Sequence, residues 1–105
     1  MIIDLGILML SKNQILKRLK RELPILKKKN HVKSIALFGS YAREEQHEDS
    51  DIDILVEYSE TPDFLEFIEL EQYLSEKLEC KVDLTTFGAL KPALKTTILN
   101  DIVYA

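Results

Sequence analysis

Two apolar runs lie close together in the middle of the chain, at residues 33–39 and 51–58. The first closes with Gly39 and the second is rich in β-branched residues, so both are typical of buried strands. Only ten residues separate Ser40 from Asp51, whereas a parallel crossover needs about a dozen or more. The two strands are therefore predicted to be antiparallel neighbours in one sheet.

A third strand is predicted at residues 81–86, after a segment with helical periodicity. Asp63 and Glu66 stand in capping-box positions at the start of that helix. Because a strand, a helix and a strand follow one another, strands two and three are predicted to be parallel and joined by a right-handed crossover. The apolar face of the helix is predicted to consist of Leu65, Ile68, Leu70, Leu74 and Leu78.

An amphipathic helix is predicted before the first strand. Ser11 and Gln14 match the S-x-x-Q form of a capping box, and leucines follow at helical spacing with Lys and Arg on the other side. Pro24 is predicted to kink or interrupt this helix, since proline lacks the backbone N–H. Three lysines precede Asn30, which is predicted to end the helix as a left-handed cap.

A last helix is predicted from Pro92, a residue favoured in the first helical turn, to about residue 100. The apolar tail at residues 102–104 is predicted to pack on the core. The expected fold is thus an α/β domain with a small mixed sheet, an antiparallel pair plus a parallel crossover, flanked by helices. At 105 residues the chain is long enough for one core and too short for two.

The predicted topology brings three aspartates to one edge of the sheet. The carboxyl end of strand one, at Gly39 and Ser40, should lie beside the amino ends of strands two and three, which carry Asp51, Asp53 and Asp83. Alternation puts Asp51 and Asp53 on one face about 7 Å apart, and a paired Asp83 would lie about 4.8 Å away laterally. Three carboxylates this close repel one another, and divalent cations relieve the repulsion. Oxygen-only ligands favour Mg²⁺, with Mn²⁺ as a possible substitute, and two ions can share such a cluster.

Charge is unevenly distributed along the chain. Residues 12–33 hold nine Lys or Arg and one acid, a net charge of +8, whereas residues 44–79 hold fourteen Asp or Glu and one Lys, a net charge of −13. A domain so acidic in its middle is predicted to be a poor general nucleic-acid binder. The basic helix is interpreted as a solvated face, with contact to RNA or to an acidic partner as the alternative.

The single cysteine and the start of the chain indicate the cellular compartment and the limits of the domain. Cys80 has no partner for an intrachain disulfide, which favours a reducing cytoplasm. The apolar start lacks a basic leading region and is shorter than the roughly 20 residues of a membrane span, so neither a signal peptide nor an anchor is predicted. Residues 1–105 are expected to form one domain, with residues 1–10 either an extension or a mis-called start, Met9 being the alternative initiator.

Three motifs together resemble the minimal nucleotidyltransferases of the DNA polymerase beta-like superfamily. They are Gly-Ser-Tyr-Ala-Arg at residues 39–43, Ser-Asp-Ile-Asp-Ile-Leu-Val at residues 50–56 and Lys-Val-Asp at residues 81–83. The family pattern is glycine-serine after a strand, Ala-Arg shortly after, Asp-x-Asp and a later third aspartate. Many relatives follow the arginine with glycine, whereas Glu44 and Glu45 stand here. That extra negative charge should weaken triphosphate binding unless the two side chains point away.

The resemblance implies a role for each matching residue. Gly39 and Ser40 would contact the triphosphate of ATP, and Arg43 would steady the site or the phosphates, with a surface ion pair as its alternative role. Asp51 and Asp53 would bind Mg²⁺. The third acid, Asp83, would complete the metal site and help to deprotonate the attacking hydroxyl.

The resemblance also implies an activity and a partner. Short stand-alone domains of this kind resemble the antitoxin of two-gene modules, in which AMP passes from ATP to a tyrosine hydroxyl of a HEPN-domain ribonuclease toxin. Two alternatives stay open: a non-catalytic module that neutralises its partner by contact, and nucleotidyl transfer to a small molecule. His31 and His47 are interpreted as exposed loop residues, and the tyrosines as packing residues.

Overall fold

The computed structural model describes residues 10–105, and the prediction for the start of the chain falls on residues that lie outside this range apart from Leu10. Within it, helices and strands alternate along the chain, with a 3₁₀ turn at Phe87–Ala89 before the last helix. The elements are α1 (Lys12–Lys29), β1 (Val32–Phe38), α2 (Gly39–Ala42), β2 (Ile52–Tyr58), α3 (Phe64–Leu78), β3 (Val82–Thr86), α4 (Pro92–Asp101) and β4 (Val103–Tyr104).

The sheet has the strand order β3-β2-β1-β4. Strands β1 and β2 are antiparallel, and β2 and β3 are parallel, so both predicted pairings and the mixed α/β fold class are confirmed. Strand β4 pairs antiparallel with β1 through Ala36 and Leu37. The sequence predicted only packing for this tail, because two residues carry no strand periodicity of their own.

One side of the sheet, the packed face, is covered by α1 and α3. Alternation along β2 sends Ile54 and Val56 to this side, where both are fully buried. From the helices, Leu19 and Leu74 join the same core. Capping boxes begin both helices as predicted, at Ser11 and at Asp63. The packed face therefore holds most of the buried apolar residues between residues 10 and 105.

The opposite side, the open face, carries Asp53, Leu55 and Glu57 from β2. A small cluster there joins Leu55 to Ala36 and Leu90, with partly buried side chains of α4 against it. Helix α4 itself contributes no buried residue. The open face is thus covered only in part by the described residues.

Three details of the helices differ from the predictions. Pro24 does not interrupt helix α1, which continues to Lys29 with its buried stripe running on to Leu26. Asn30 is not left-handed: its N–H still bonds the Leu26 carbonyl at 2.9 Å, and the positive φ of 57° falls on His31. Leu65 is 66% exposed rather than part of the apolar face, because the 3.6-residue period places it on the side of α3 opposite Leu74. None of the helices between residues 10 and 105 has the length and apolar character to cross a bilayer.

Candidate active site

Three aspartates lie beside the end of β1, and we call Asp51, Asp53 and Asp83 the carboxylate row. Asp53 of β2 is the register partner of Phe38 on one side and of Asp83 on the other. Asp51 lies two residues before Asp53, just ahead of β2. The topology therefore brings Asp53 and Asp83 together beside the turn that follows β1, as the spacing predicted.

Gly39 begins that turn in a conformation that favours glycine, with φ of +75°. A Cβ built on it would lie 2.9 Å from Cγ of Asp53 and closer still to one carboxylate oxygen. No side chain fits there, so the backbone of α2 lies directly against the Asp53 carboxylate. Hydrogen bonds from Arg43 N to the Gly39 carbonyl at 3.1 Å and from Glu45 N to the Ser40 carbonyl at 2.9 Å close the turn.

Asp53 is the electrostatic centre of the row. The pKa of its carboxyl is raised to about 6, chiefly by burial and also by the nearby negative charges of Asp83 and Asp51, which Arg43 opposes. A half-buried carboxylate among like charges is a site that a cation stabilises. The donor set is all carboxylate oxygen, which fits Mg²⁺ or Mn²⁺.

The three side chains do not form a closed ligand cage. Asp83 is exposed, and Asp51 Oδ2 lies 3.8 Å from Lys81 Nζ. Within residues 10–105, no group of three His, Cys, Asp or Glu side chains is gathered closely enough to hold a metal ion as it stands.

Arg43 makes two ion pairs at the edge of this row. Its Nη1 donates to Asp101 Oδ2 of α4 at 3.1 Å, and its Nε lies 3.4 Å from Glu45 Oε1. The hydrogen bond to Asp101 raises the pKa of the guanidinium above its ordinary value. Glu45 thus directs its charge to Arg43, whereas Glu44 is exposed at a φ of 59°. Of the two roles considered for Arg43, the ion-pair role is the one this geometry displays.

Two of the ion-pair partners at this site, Asp101 and Lys81, were not predicted from the sequence. Asp101 is 58 residues from Arg43, and no local pattern connects them. Lys81 is next to β3 and was noticed only as part of a motif. The histidine interpretations agree with the structure, since His31 and His47 are exposed. Tyr41 is buried as predicted, and its pKa is raised to about 12 chiefly by that burial. The packing interpretation is wrong for Tyr104, which is 57% exposed.

Comparison with known proteins places this geometry in a family. The model of the nucleotidyltransferase domain family matches residues 12–105. MJ0128 of Methanocaldococcus jannaschii is 60% identical over 87 residues, which are 82% of this chain and 89% of that protein. Protein adenylyltransferase MntA of Thermococcus cleftensis is 47% identical over 79 residues, which are 75% of this chain and 80% of that protein.

Two solved structures share the fold. A toxin–antitoxin crystal structure with AMP-PNP matches at a TM-score of 0.66 and 33% identity, over 90% of this chain and 72% of that one. A tri-AMPylated Shewanella oneidensis HEPN toxin in complex with MNT antitoxin matches at a TM-score of 0.57 and 29% identity, over 89% of this chain and 66% of that one. With its glycine turn, its carboxylate row and these relatives, the chain belongs to the nucleotidyltransferase domain family.

Proposed function

We propose that this protein is an antitoxin that transfers AMP from ATP to a tyrosine hydroxyl of a partner HEPN ribonuclease toxin. The observation that supports this most strongly is the contact between Gly39 and the Asp53 carboxylate. It sets the backbone of Gly39, which has no side chain, against the Asp53 carboxylate, and such a close approach suits a triphosphate with its cations.

Each motif residue has a part in this proposal. Gly39 allows close approach of the phosphates, and the Ser40 hydroxyl donates a hydrogen bond to them. Asp51, Asp53 and Asp83 would together hold Mg²⁺, with two ions sharing the three carboxylates. When bound, Mg²⁺ supplies positive charge that polarises the α-phosphate and neutralises the departing pyrophosphate.

The transfer itself is an in-line displacement. The acceptor hydroxyl oxygen forms a bond to the α-phosphorus of ATP, the bond from that phosphorus to the bridging oxygen breaks, and pyrophosphate leaves. The hydroxyl proton passes to the Asp83 carboxylate, which is exposed on the open face. Arg43 exchanges Asp101 or Glu45 for a phosphate oxygen during binding.

The identity of the acceptor is inferred from the relatives and from the shape of the site. MntA of Thermococcus cleftensis is named a protein adenylyltransferase, and a solved relative is an antitoxin bound to an AMPylated HEPN toxin. In this chain, α4 buries none of its own residues, so the carboxylate row lies on a broad and partly uncovered face. Such a face suits a protein acceptor better than a small molecule, which needs an enclosing pocket.

A second candidate function is neutralisation of the partner by contact alone. The ion pairs Asp51–Lys81 and Arg43–Asp101 favour it, because they engage two side chains that catalysis would require. Catalysis requires the negative charge of Asp53, whereas neutralisation by contact alone does not.

The test is transfer of label from ATP carrying ³²P in its α-phosphate to the cognate toxin, with Mg²⁺ present. The wild-type protein should label the toxin, and Asp51→Asn and Asp53→Asn should each reduce labelling by at least about 100-fold, the effect of losing a transition-state charge contact. Asp49→Asn is the matched control, because this exposed loop residue lies outside the row.

Labelling that survives both substitutions would contradict the proposal. Complete neutralisation of the toxin by Asp53→Asn, without labelling, would instead establish contact as the mechanism.

A further inference from the structure

Strand β3 is an edge strand, so half of its backbone groups face away from the sheet. In a parallel pair, alternate residues direct their N–H and C=O groups to the neighbouring strand. Ile52 N donates to the Lys81 carbonyl at 2.9 Å, which shows that Lys81 faces β2. Two residues on, Asp83 also faces β2, and the N–H groups of Val82 and Leu84 therefore point outward.

Two side chains of α3 accept these outward N–H groups. Val82 N donates to Ser75 Oγ at 3.0 Å, and Leu84 N donates to Glu71 Oε2 at 2.9 Å. The Ser75 hydroxyl in turn donates to the Glu71 carbonyl at 2.9 Å, so its lone pairs are directed at the strand. We call this pair of contacts the edge clamp.

The spacing of the clamp matches the two elements. Four helical residues rise about 6 Å, and two strand residues rise about 6.6 Å. Ser75 and Glu71 are four apart on α3, and Val82 and Leu84 are two apart on β3. The distance from Glu71 to Ser75 along α3 therefore matches the distance from Val82 to Leu84 along β3.

Asp83 lies between the two clamped residues. Its side chain is on the open face, away from α3, in register with Asp53. We propose that Ser75 and Glu71 are positioning residues, which set the height of Asp83 along the sheet so that its carboxylate can share cations with Asp53. This inference rests on the proposed function, since it concerns the third ligand of that site.

Groups that orient a metal ligand without touching the metal typically cost 10–100-fold in metal affinity when they are lost. The test uses Mn²⁺ alone as the probe, titrated by electron paramagnetic resonance, together with amide hydrogen exchange of Val82 and Leu84. Glu71→Ala should speed exchange at Leu84 and weaken Mn²⁺ binding by about 10-fold. Glu71→Gln, which keeps an acceptor oxygen, should stay within about 3-fold of the wild type.

Ser75→Ala provides an independent arm, and carries the test by itself should Glu71→Ala fail to fold. It should speed exchange at Val82 and weaken Mn²⁺ binding, whereas Ser75→Thr retains the hydroxyl and should restore both. Glu76→Ala is the matched control: it removes an exposed acid from the same helix, one residue from Ser75.

The outcomes separate this inference from the proposed function. Folded Glu71→Ala and Ser75→Ala variants that exchange faster but bind Mn²⁺ as tightly as the wild type would overturn the inference alone, and would make the clamp a purely structural edge cover. A wild-type protein that does not bind Mn²⁺ would overturn both.

Discussion

The two faces of the sheet differ in what they bury. On the packed face, Ile52, Ile54 and Val56 of β2 are fully buried against the helices. On the open face, the alternate positions of the same strand carry Asp53 and Glu57, with only Leu55 buried. A single strand thus stabilises the fold through one side and presents charge through the other, which leaves the charged side free to change its partners.

The electrostatics follow the same division. The raised pKa of Asp53 means that its charged form is disfavoured in the fold. Stability that the packed face supplies is therefore partly offset at the carboxylate row. Such local conflicts are expected where residues are kept for function.

The largest expected effect is a loss of stability at a buried helix leucine, compared with an exposed one on the other face of the sheet. Leu74 is fully buried under the sheet, whereas Leu99 of α4 is 43% exposed. Leu74→Ala should lower the free energy of unfolding by about 2–5 kcal/mol, because it leaves a cavity. Leu99→Ala should lower it by less than about 1 kcal/mol. Denaturant unfolding measures both, and equal losses would show that α4 matters to the core as much as α3 does.

A smaller effect on stability, with a large effect on activity, is expected at Gly39. Gly39→Ala must strain a positive φ and displace the Asp53 carboxylate, and should cost about 1–2 kcal/mol. AMP transfer should be lost with it. Gly88→Ala is the matched control, because an added Cβ there meets nothing within 4 Å. Full transfer activity in Gly39→Ala would argue against close approach of phosphate to this turn.

The smallest effect is the dependence of stability on pH through Asp53. Its pKa of about 6 in the fold exceeds the ordinary 3.8, so the folded state holds this proton more tightly than the unfolded state. Asp53 therefore contributes most to the free energy of unfolding below about pH 4, and this contribution is lost as pH rises through about 6.

Asp53→Asn, measured in EDTA, should remove this dependence and raise the free energy of unfolding at pH 7 by about 1 kcal/mol, after allowance for solvent screening. An Asp53→Asn variant less stable than the wild type at pH 7 would show that the charged form is well paired in the fold.

The sequence was most informative where local chemistry decides the structure. Capping residues Ser11 and Asp63 and the short gap between Ser40 and Asp51 led to the correct helix starts and to the antiparallel pair. From these, topology placed Asp53 and Asp83 at the same edge of the sheet, whereas their direct pairing in register is a finding of the structure. The composite motif around Gly39 pointed to the same place independently.

Contacts between residues far apart in the chain could not be predicted from the sequence. The four residues of α2 are too few to show periodicity, and β4 exists only because Val103 and Tyr104 meet β1 across the fold. The partner of Arg43, Asp101, is likewise set by tertiary structure. Leu65 is a different case: the helical period itself places it on the side of α3 opposite Leu74, so its exposure could have been predicted from the sequence.

The most direct test of the carboxylate row is a crystal structure with Mn²⁺ and a non-hydrolysable ATP analogue, read by manganese anomalous scattering. An anomalous peak should lie about 2.1 Å from carboxylate oxygens of Asp51 and Asp53, with the triphosphate against Gly39 and Asp83 beside the same ion. A nucleotide bound elsewhere, or manganese that contacts none of the three aspartates, would contradict the account.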